Sequence, residues 1–303
     1  MKKVTRGSPA CAGDDNLSAR RFVCASSFRY LLPVSTPLVS VIIAAYQAQG
    51  FIAEAVASAL AQSVREIEIV VAPDEPTDYR FLEQMDPRVR VLAGVSVPTG
   101  PGFARNRALA AARGRVVALL DADDLLSPNY LAALVPLAEQ AGAAFGCTRI
   151  TDWGGKIVRE VAAAGREVSF DDFKTAFASF HAVFRRDATR AWQSVLAEDV
   201  LFDLETLSLA GGHAPFAGDA VYQLRQRPQS MTRGAAFITG IGAGYEKLMA
   251  LVAAGEISID APHRPAAIDV WRSWAAMNAR FEAAGAAGDT RDYQRFVADW
   301  RVM

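Results

Sequence analysis

Apolar runs alternate with amphipathic stretches through the first half of the chain. Residues 39–44 form a nearly continuous apolar run rich in β-branched residues, whereas residues 51–62 place apolar side chains at helical spacing. The alternation predicts strands at 39–44, 66–71, 89–93 and 116–120, and helices at 51–62, 79–85 and 103–112. Such an order predicts an α/β fold with a mostly parallel central sheet flanked by helices.

Shorter strands and then helices follow in the second half. A helix at 130–140 precedes strands at 145–150 and 156–161, and the turn sequence between these two strands predicts a hairpin. The pattern then predicts helices at 171–178 and 201–209, and strands at 181–184 and 221–225. From Thr239 onward the apolar positions keep helical spacing, so we expect a C-terminal helical extension.

Composition and charge exclude several classes of protein. The 303 residues are 51% hydrophobic, which is enough for one large core. A net charge of −1 gives no basic field, so we expect no nucleic-acid partner. The three cysteines are scattered and odd in number, which excludes a disulfide framework and favours a reducing, cytoplasmic compartment. No uncharged apolar run approaches the roughly 20 residues that span a bilayer.

The N-terminal stretch leaves two interpretations open. No continuous apolar segment follows Lys2, Lys3 and Arg6, so we expect no secretory signal. Residues 20–34 combine arginines with aromatic and aliphatic side chains, which suits a peripheral contact at the inner face of the membrane. An ordinary leader is the simpler interpretation.

Three carboxylates follow the apolar run 116–120 within four positions, namely Asp121, Asp123 and Asp124. Carboxylates are hard oxygen ligands, and at the end of a buried strand they suit Mg²⁺ or Mn²⁺ bound to substrate phosphates. A solvated turn is the alternative, because Asp is common in turns. However, Asp74 and the loop 100–105 also follow strands, and ligands of parallel sheets lie outside these carboxyl ends.

The order of these motifs resembles that of family 2 glycosyltransferases of the GT-A fold. The motifs are the run from Val39 to Tyr46, the loop from Asp74 to Asp78, the sequence Ala104, Arg105 and Asn106, the Asp121 to Asp124 cluster, and Glu198 with Asp199. The resemblance covers about residues 38–232. It implies a Rossmann-like nucleotide-binding half fused to an acceptor-binding half. It also implies transfer of a sugar from a nucleotide-diphosphate donor to a glycan or lipid-linked acceptor, with inversion, in the synthesis of surface polysaccharide or lipopolysaccharide.

The resemblance implies roles for individual residues. Asp123 coordinates the Mn²⁺ or Mg²⁺ ion that bridges the diphosphate, and Asp199 is the general base. Asp124 stays open between a metal ligand and a cap for the helix after Pro128. The nucleotide-binding residues are Ala44, Ala45, Tyr46, Asp74, Arg105, Asp121 and Ala122. Candidate phosphate or acceptor contacts are Glu198, Arg225, Arg227, His213 and Trp153.

One motif departs from the family pattern. Relatives carry Asp-Asp-Gly-Ser where this chain has Pro73, Asp74, Glu75 and Pro76, so only the second Asp is kept. Uridine remains the favoured base. Apart from His213, which could approach the metal, the histidines are expected to have packing roles, and Trp153 is as well suited to packing as to stacking on a sugar.

Other functions fit the residues less well. A phosphatase of the haloacid-dehalogenase type expects Thr or Val where this chain has Leu125, and a calcium loop expects Gly where it has Leu126. A sugar nucleotidyltransferase expects a Gly-rich loop after the first strand, which is absent here. The remaining alternative is a non-catalytic, glycosyltransferase-like protein that binds sugar nucleotide or glycan.

We expect three regions in the chain. Residues 1–36 form a poorly ordered leader, and residues 37–234 form the glycosyltransferase domain, with a nucleotide-binding half at 37–127 and an acceptor half at 128–234. Residues 235–303 form the C-terminal helical region. The sequence does not decide whether these helices form a homodimer, cover the acceptor cleft or lie on a membrane.

Overall fold

The computed structural model describes residues 36–228 and 235–300, without the side chains of 235–240. The predicted leader therefore lies, except for Thr36, outside the described residues. The strands are β1 Val39–Ala45, β2 Ile67–Pro73, β3 Val89–Val91, β4 Val116–Leu119, β5 Leu125–Leu126, β6 Ala143–Asp152, β7 Ile157–Val161, β8 Glu167–Ser169, β9 Val183–Arg185 and β10 His213–Gln226. The helices are α1 Ile52–Leu60, α2 Pro101–Ala111, α3 Tyr130–Ala141, α4 Phe170–Ala176, α5 Glu198–Leu209, α6 Ala235–Ala254, α7 Arg264–Ala286 and α8 Tyr293–Trp300.

One sheet runs through the molecule in the order β3-β2-β1-β4-β9-β6-β10-β5, with β7 paired to β6 and β8 to β10. The first four strands in this order pair in parallel, and β9 joins them antiparallel to β4. Strands β6 and β10 are again parallel to each other. The predicted α/β class, with a mostly parallel central sheet flanked by helices, is confirmed.

The burial of the parallel strands explains why each of them is a continuous apolar run in the sequence. Every residue of β4 is buried, and in β1 only Ala44 is partly exposed. Strands with helices on both faces have no solvent side, so they lose the alternation of apolar and polar positions. Their carboxyl ends meet at one edge of the sheet, where Tyr46, Asp74 and Asp121 follow β1, β2 and β4.

Several predicted elements differ from the structure in extent or type. The helix at 79–85 is a single 3₁₀ helix, Arg80–Gln84, and the strand at 181–184 begins only at Val183 because His181 has a left-handed φ of 57°. The strand at 221–225 is the end of β10, a strand of 14 residues that begins at His213. The predicted hairpin is confirmed by the antiparallel pairing of β6 with β7.

The C-terminal residues form the predicted helices, and these pack against the domain. The ring of Tyr245 on α6 stacks on Trp271 of α7 with centroids 5.6 Å apart. The indole Nε1 of Trp274 donates to the carbonyl of Phe173 on α4 at 2.7 Å. Within the part of the chain that the structure describes, no helix has the length and apolar character needed to span a membrane.

Candidate active site

A cavity of about 280 Å³ opens between the acidic edge of the sheet and the C-terminal helices. The carboxylates of Asp123 and Asp199, which the sequence assigned to different roles, both line it. Asp123 lies in the loop after β4, whereas Asp199 lies in the first turn of α5. The fold therefore brings together two acidic groups that are far apart in sequence.

Arg105 connects the acidic segment after β4 with the acidic start of α5. It lies in the first half of α2, is only 5% exposed, and donates to Asp121 and to Glu198 at 2.7 Å each. Burial alone would lower the pKa of Arg105, but the charges of Asp121 and Glu198 raise it well above its ordinary value. The guanidinium thus stays charged and holds the start of α5 beside the end of β4.

Asp199 has an environment suited to accepting a proton. Burial and then the charge of Glu198 raise its pKa to about 7, although Arg105 opposes this shift. No side chain among the described residues donates a hydrogen bond to its carboxylate. Ala197, two residues before Asp199, has a left-handed φ of 55°, which turns the chain sharply into α5. A carboxylate with a pKa near neutrality can act as a general base at physiological pH.

A second group of side chains could hold a cation. Asp121, Asp124 and His181 each offer a ligand atom, and these atoms lie within 4.8 Å of one another. Burial and the charges of Asp123 and Asp121 raise the pKa of Asp124 well above its ordinary value. Carboxylates crowded in this way repel one another, and a divalent cation would relieve the repulsion. The donor set, rich in carboxylate oxygen, fits Mn²⁺ or Mg²⁺.

Asp124 is not a helix cap. It accepts hydrogen bonds from the hydroxyl of Tyr222 at 2.9 Å and from the backbone N–H of Arg225 at 2.8 Å. The helix after Pro128, α3, has Asn129 at its N-cap position and no side-chain cap. These bonds tie the acidic segment to β10, so the capping alternative for Asp124 is wrong.

His181 lies in the cavity lining, although the sequence indicated only a packing role for it. Its ring stacks on Tyr222 with centroids 3.6 Å apart, and its Nδ1 lies 3.1 Å from Thr148 Oγ1. Burial lowers its pKa to about 4, which leaves a neutral imidazole of the kind that ligates metals. His213, by contrast, is exposed at the start of β10 opposite Ser169, and it does not line the cavity.

The two arginines at the end of β10 lie against the acidic segment. Arg227 pairs with the Asp123 carboxylate at 2.6 Å, and its guanidinium lies over the ring of Phe51. Arg225 donates to the carbonyl of Asp123 at 2.5 Å. The guanidinium of Arg225 also lies 4.5 Å from the centroid of Trp153, which is 40% exposed at the tip of the β6–β7 hairpin. Trp153 therefore stacks on an arginine beside the cavity.

Apart from Asp121, the predicted nucleotide-binding residues do not line the cavity, and all of them except Arg105 lie at or just after the ends of β1, β2 and β4. Asp74 is buried, and its carboxylate accepts hydrogen bonds from the N–H and hydroxyl of Thr99 and from the N–H of Gly100. It thereby fixes the turn into α2, where Gly100 has a left-handed φ of 96°. Tyr46 is 48% exposed. Ala44, Ala45 and Ala122 are buried or half-buried beside these groups.

Sequence reasoning missed the part of the cavity that the C-terminal helices supply. These residues are separated from the acidic motifs by long stretches of chain. No local signal distinguishes them from other core positions of an amphipathic helix. They include Tyr245, Trp274, Asn278, Phe281 and Tyr293.

Comparison with protein families identifies the matching part of the chain. A family model described as Glycosyl transferase family 2 matches residues 40–193, which is half of the chain. The match includes Asp74, Arg105 and Asp123 and ends before Asp199.

Curated relatives match over shorter segments. The succinoglycan biosynthesis protein ExoO of Rhizobium meliloti (strain 1021) is 41% identical over 110 residues, 35% of this chain and 31% of that protein. The UDP-Glc:alpha-D-GlcNAc-diphosphoundecaprenol beta-1,3-glucosyltransferase WfgD of Escherichia coli is 36% identical over 97 residues, 31% of this chain and 38% of that protein. This chain thus matches less than half the length of either relative.

Solved structures share the fold. S. aureus TarS 1–349 in complex with UDP-GlcNAc has a TM-score of 0.62 at 18% identity, covering 86% of this chain and 79% of that one. The mannosyltransferase PcManGT from Pyrobaculum calidifontis, in complex with GDP-Man and Mn²⁺, has a TM-score of 0.56 at 20% identity, covering 88% and 80%. At these identities the likeness shows the fold alone.

Proposed function

The chain belongs to glycosyl transferase family 2, and we propose that it moves a sugar from a nucleotide-diphosphate donor to a hydroxyl of a glycan or lipid-linked acceptor. The observation that carries the proposal is that Asp123 and Asp199 line one cavity. One acidic group would serve the donor's diphosphate and the other the acceptor's hydroxyl. Relatives named for succinoglycan and teichuronic acid biosynthesis support a place in polysaccharide synthesis.

UDP-sugars are the proposed donors. WfgD is named for UDP-Glc, and TarS has been solved with UDP-GlcNAc. In this chain the nucleoside would lie against Ala44, Ala45 and Tyr46 at the end of β1, with Asp74 behind the turn that closes the pocket. The exposed ring of Tyr46 is available to stack on a base.

A divalent cation, Mn²⁺ or Mg²⁺, is the proposed cofactor. Asp123 would hold it with support from Asp121, Asp124 and His181, whose ligand atoms already cluster. Such a cation supplies charge neutralisation to the departing diphosphate. Arg227 and Arg225 at the end of β10 would add positive charge to the same group, because Arg matches phosphate geometry.

Asp199 is the proposed general base, and the proposed stereochemical outcome is inversion. A base on the far side of the sugar from the diphosphate would take the proton of the attacking hydroxyl. Asp199 lines the same cavity as Asp123, and its pKa of about 7 suits it to hold and release a proton. Arg105 would position it through Glu198.

We propose a nucleotide half at 37–127, an acceptor half at 128–234 and a helical region at 235–303. The proposed site of the reaction is the cytoplasm, at the inner face of the membrane where a lipid-linked acceptor is presented. Residues of the helical region line the cavity, which supports the proposal that these helices cover the acceptor cleft.

A thermal-shift screen followed by a turnover assay tests the function. UDP, GDP, dTDP and CDP sugars are added with and without Mn²⁺, because a bound ligand raises the apparent stability by mass action. We expect UDP-sugars with Mn²⁺ to raise Tm most and UDP to be released on incubation. Stabilisation without any release of UDP would favour the non-catalytic alternative, and no stabilisation by any donor would overturn the proposal.

A further inference from the structure

The C-terminal helices also line the cavity. The aromatic lining residues of these helices, together with Asn278, are one from α6, three from α7 and one from α8. The family model ends before all of them. We call this set the helical wall: Tyr245, Trp274, Asn278, Phe281 and Tyr293.

Packing inside the protein fixes the helical wall. Trp274, Asn278 and Phe281 are spaced at i, i+4 and i+7 and therefore share one face of α7. The indole of Trp274 is held by its bond to Phe173, and the ring of Phe281 packs edge-on against Tyr293 with centroids 5.3 Å apart. The wall thus presents a preformed surface with aromatic faces.

Three polar groups on this wall lack partners among the described residues, and one of them is the buried hydroxyl of Tyr293. The Nδ2 of Asn278 donates to Glu282 at 2.9 Å, but no described group donates to its Oδ1. The hydroxyl of Tyr245 makes no hydrogen bond with a described residue, and burial together with the charges of Tyr293 and Asp199 keeps its pKa well above the ordinary value. The phenol is therefore a donor facing the cavity. Buried polar groups normally have partners, so these three groups indicate a polar ligand.

The charges around the cavity select the kind of ligand. The helical wall has no charged side chain, whereas Asp121, Asp123, Asp124 and Asp199 line the same cavity. Asp292, beside the wall, is also acidic, and Arg225 is the one cation among the described residues of the lining. An anionic group in this cavity would meet five carboxylates and only one cation of the described lining. A neutral sugar offers hydroxyls to the polar groups and an apolar face to the aromatic rings.

We propose that the helical wall binds one neutral sugar unit of the acceptor, and that this unit carries the hydroxyl that is glycosylated. This inference rests on the proposed transferase function. Tyr245 and Asn278 are positioning residues that hold this unit, and Trp274 and Phe281 pack against its apolar face. The volume of about 280 Å³ lies at the small end of the range for small-molecule sites, near 300 Å³, which fits a single ring.

The test uses the full chain loaded with UDP and Mg²⁺. Binding of the methyl glycosides of glucose, galactose, N-acetylglucosamine and glucuronic acid is titrated by saturation-transfer NMR. The variants are Tyr245→Phe and Asn278→Leu, each removing one polar group with little change of shape. Glu246→Gln, at the exposed neighbour of Tyr245 on α6, is the matched control. UDP affinity and Tm are measured for every variant to establish that it is folded.

We expect at least one neutral glycoside to bind and the glucuronide not to bind. Each variant should weaken the neutral glycoside about fivefold, the loss of one neutral hydrogen bond, while Glu246→Gln binds it as wild type does. Binding of UDP without any neutral glycoside, equal binding of the glucuronide, or neutral binding untouched by both variants would overturn the role of the helical wall alone. A folded chain that does not bind UDP would overturn the proposed function together with it.

Discussion

The guanidinium of Arg105 lies 2.7 Å from the carboxylate of Glu198, and this bond joins α2 to the first turn of α5. The next residue after Glu198 is Asp199, so the bond also sets where that carboxylate lies. The other terminal nitrogen of the Arg105 guanidinium forms an ion pair with Asp121, just after the end of β4. A single buried cation therefore determines the spacing between the two acidic segments of the site.

Replacing the proposed base should separate donor binding from chemistry. We expect Asp199→Asn to lower the rate of sugar transfer by roughly 10²- to 10⁴-fold, because the amide cannot accept the acceptor's proton. UDP affinity, measured by calorimetry, should persist. Asp187→Asn, at an exposed surface ion pair with Arg185, is the control and should transfer at the wild-type rate. Wild-type turnover by Asp199→Asn would show that another group takes the proton.

Removing the cation should abolish activity reversibly. We expect EDTA to stop transfer and added Mn²⁺ or Mg²⁺ to restore it, because the carboxylate cluster would otherwise meet the donor's diphosphate uncompensated. Asp123→Asn should require more Mn²⁺ for half-maximal activity than wild type does. The measurement is the rate of UDP release against metal concentration. Full activity in EDTA-treated, metal-free protein would contradict the metal assignment.

The pH dependence should report Asp199. Burial and Glu198 raise its pKa to about 7, and a base acts only when deprotonated. We therefore expect kcat/KM to fall roughly tenfold for each pH unit below about 7 and to level off above it. Stopped UDP-release assays from pH 5 to pH 9 give this profile. An acid limb that begins only near pH 4 would mean that Asp199 is not the base, or that it titrates like an exposed carboxyl.

The central parallel strands could be predicted from sequence for a physical reason. β1 and β4 are buried on both faces, so their apolar runs are continuous and cannot be mistaken for surface helices. β9 is only three residues long, and its pairing with β4 and β6 depends on chain segments far away. β5 and β8 are equally short, and no period can be seen in two or three residues.

Removing the buried cation should destabilise the protein. We expect Arg105→Gln to lower the free energy of unfolding by about 3 kcal/mol, because Asp121 and Glu198 would be left without a compensating charge. Arg80→Gln, which breaks the exposed pair with Asp78, is the control and should leave the free energy of unfolding close to the wild-type value. The free energies of unfolding of both variants are measured by urea denaturation. An equal loss of stability in the two variants would contradict the role assigned to Arg105.

A second buried acid should make stability depend on pH. Burial raises the pKa of Glu205 on α5 to about 7 from 4.5, although the N–H of Ser258 opposes the shift. The folded state therefore holds the proton more tightly than the unfolded state, and stability is lost as pH rises from about 4.5 to about 7. We expect Glu205→Gln to reduce the loss between pH 5 and pH 8 by about 2 kcal/mol.

Urea denaturation at the two pH values measures this difference. The exposed Glu256→Gln, close to Ser258, is the matched control and should follow the wild-type pH dependence. A Glu205→Gln variant with the wild-type dependence would show that Glu205 titrates normally in the folded protein.

The site was only half accessible from sequence. Asp123 and Asp199 belong to short acidic motifs whose order along the chain can be compared with a family. His181, Tyr245 and Asn278 stand alone in their segments and reach the cavity only because α7 packs on α4 and β10 passes beside β6. The spacing of residues within one helix or strand cannot reveal a contact that depends on how several helices and strands pack together.

The left-handed backbone of Ala197 has a consequence for engineering and for natural variation. An alanine at a φ of 55° costs roughly 1 kcal/mol relative to glycine, which adopts that conformation freely. Screens that select for heat resistance should therefore find glycine at position 197 among their first hits. The same replacement loosens the hinge from which Glu198 and Asp199 project, so such thermostable variants should be slower catalysts.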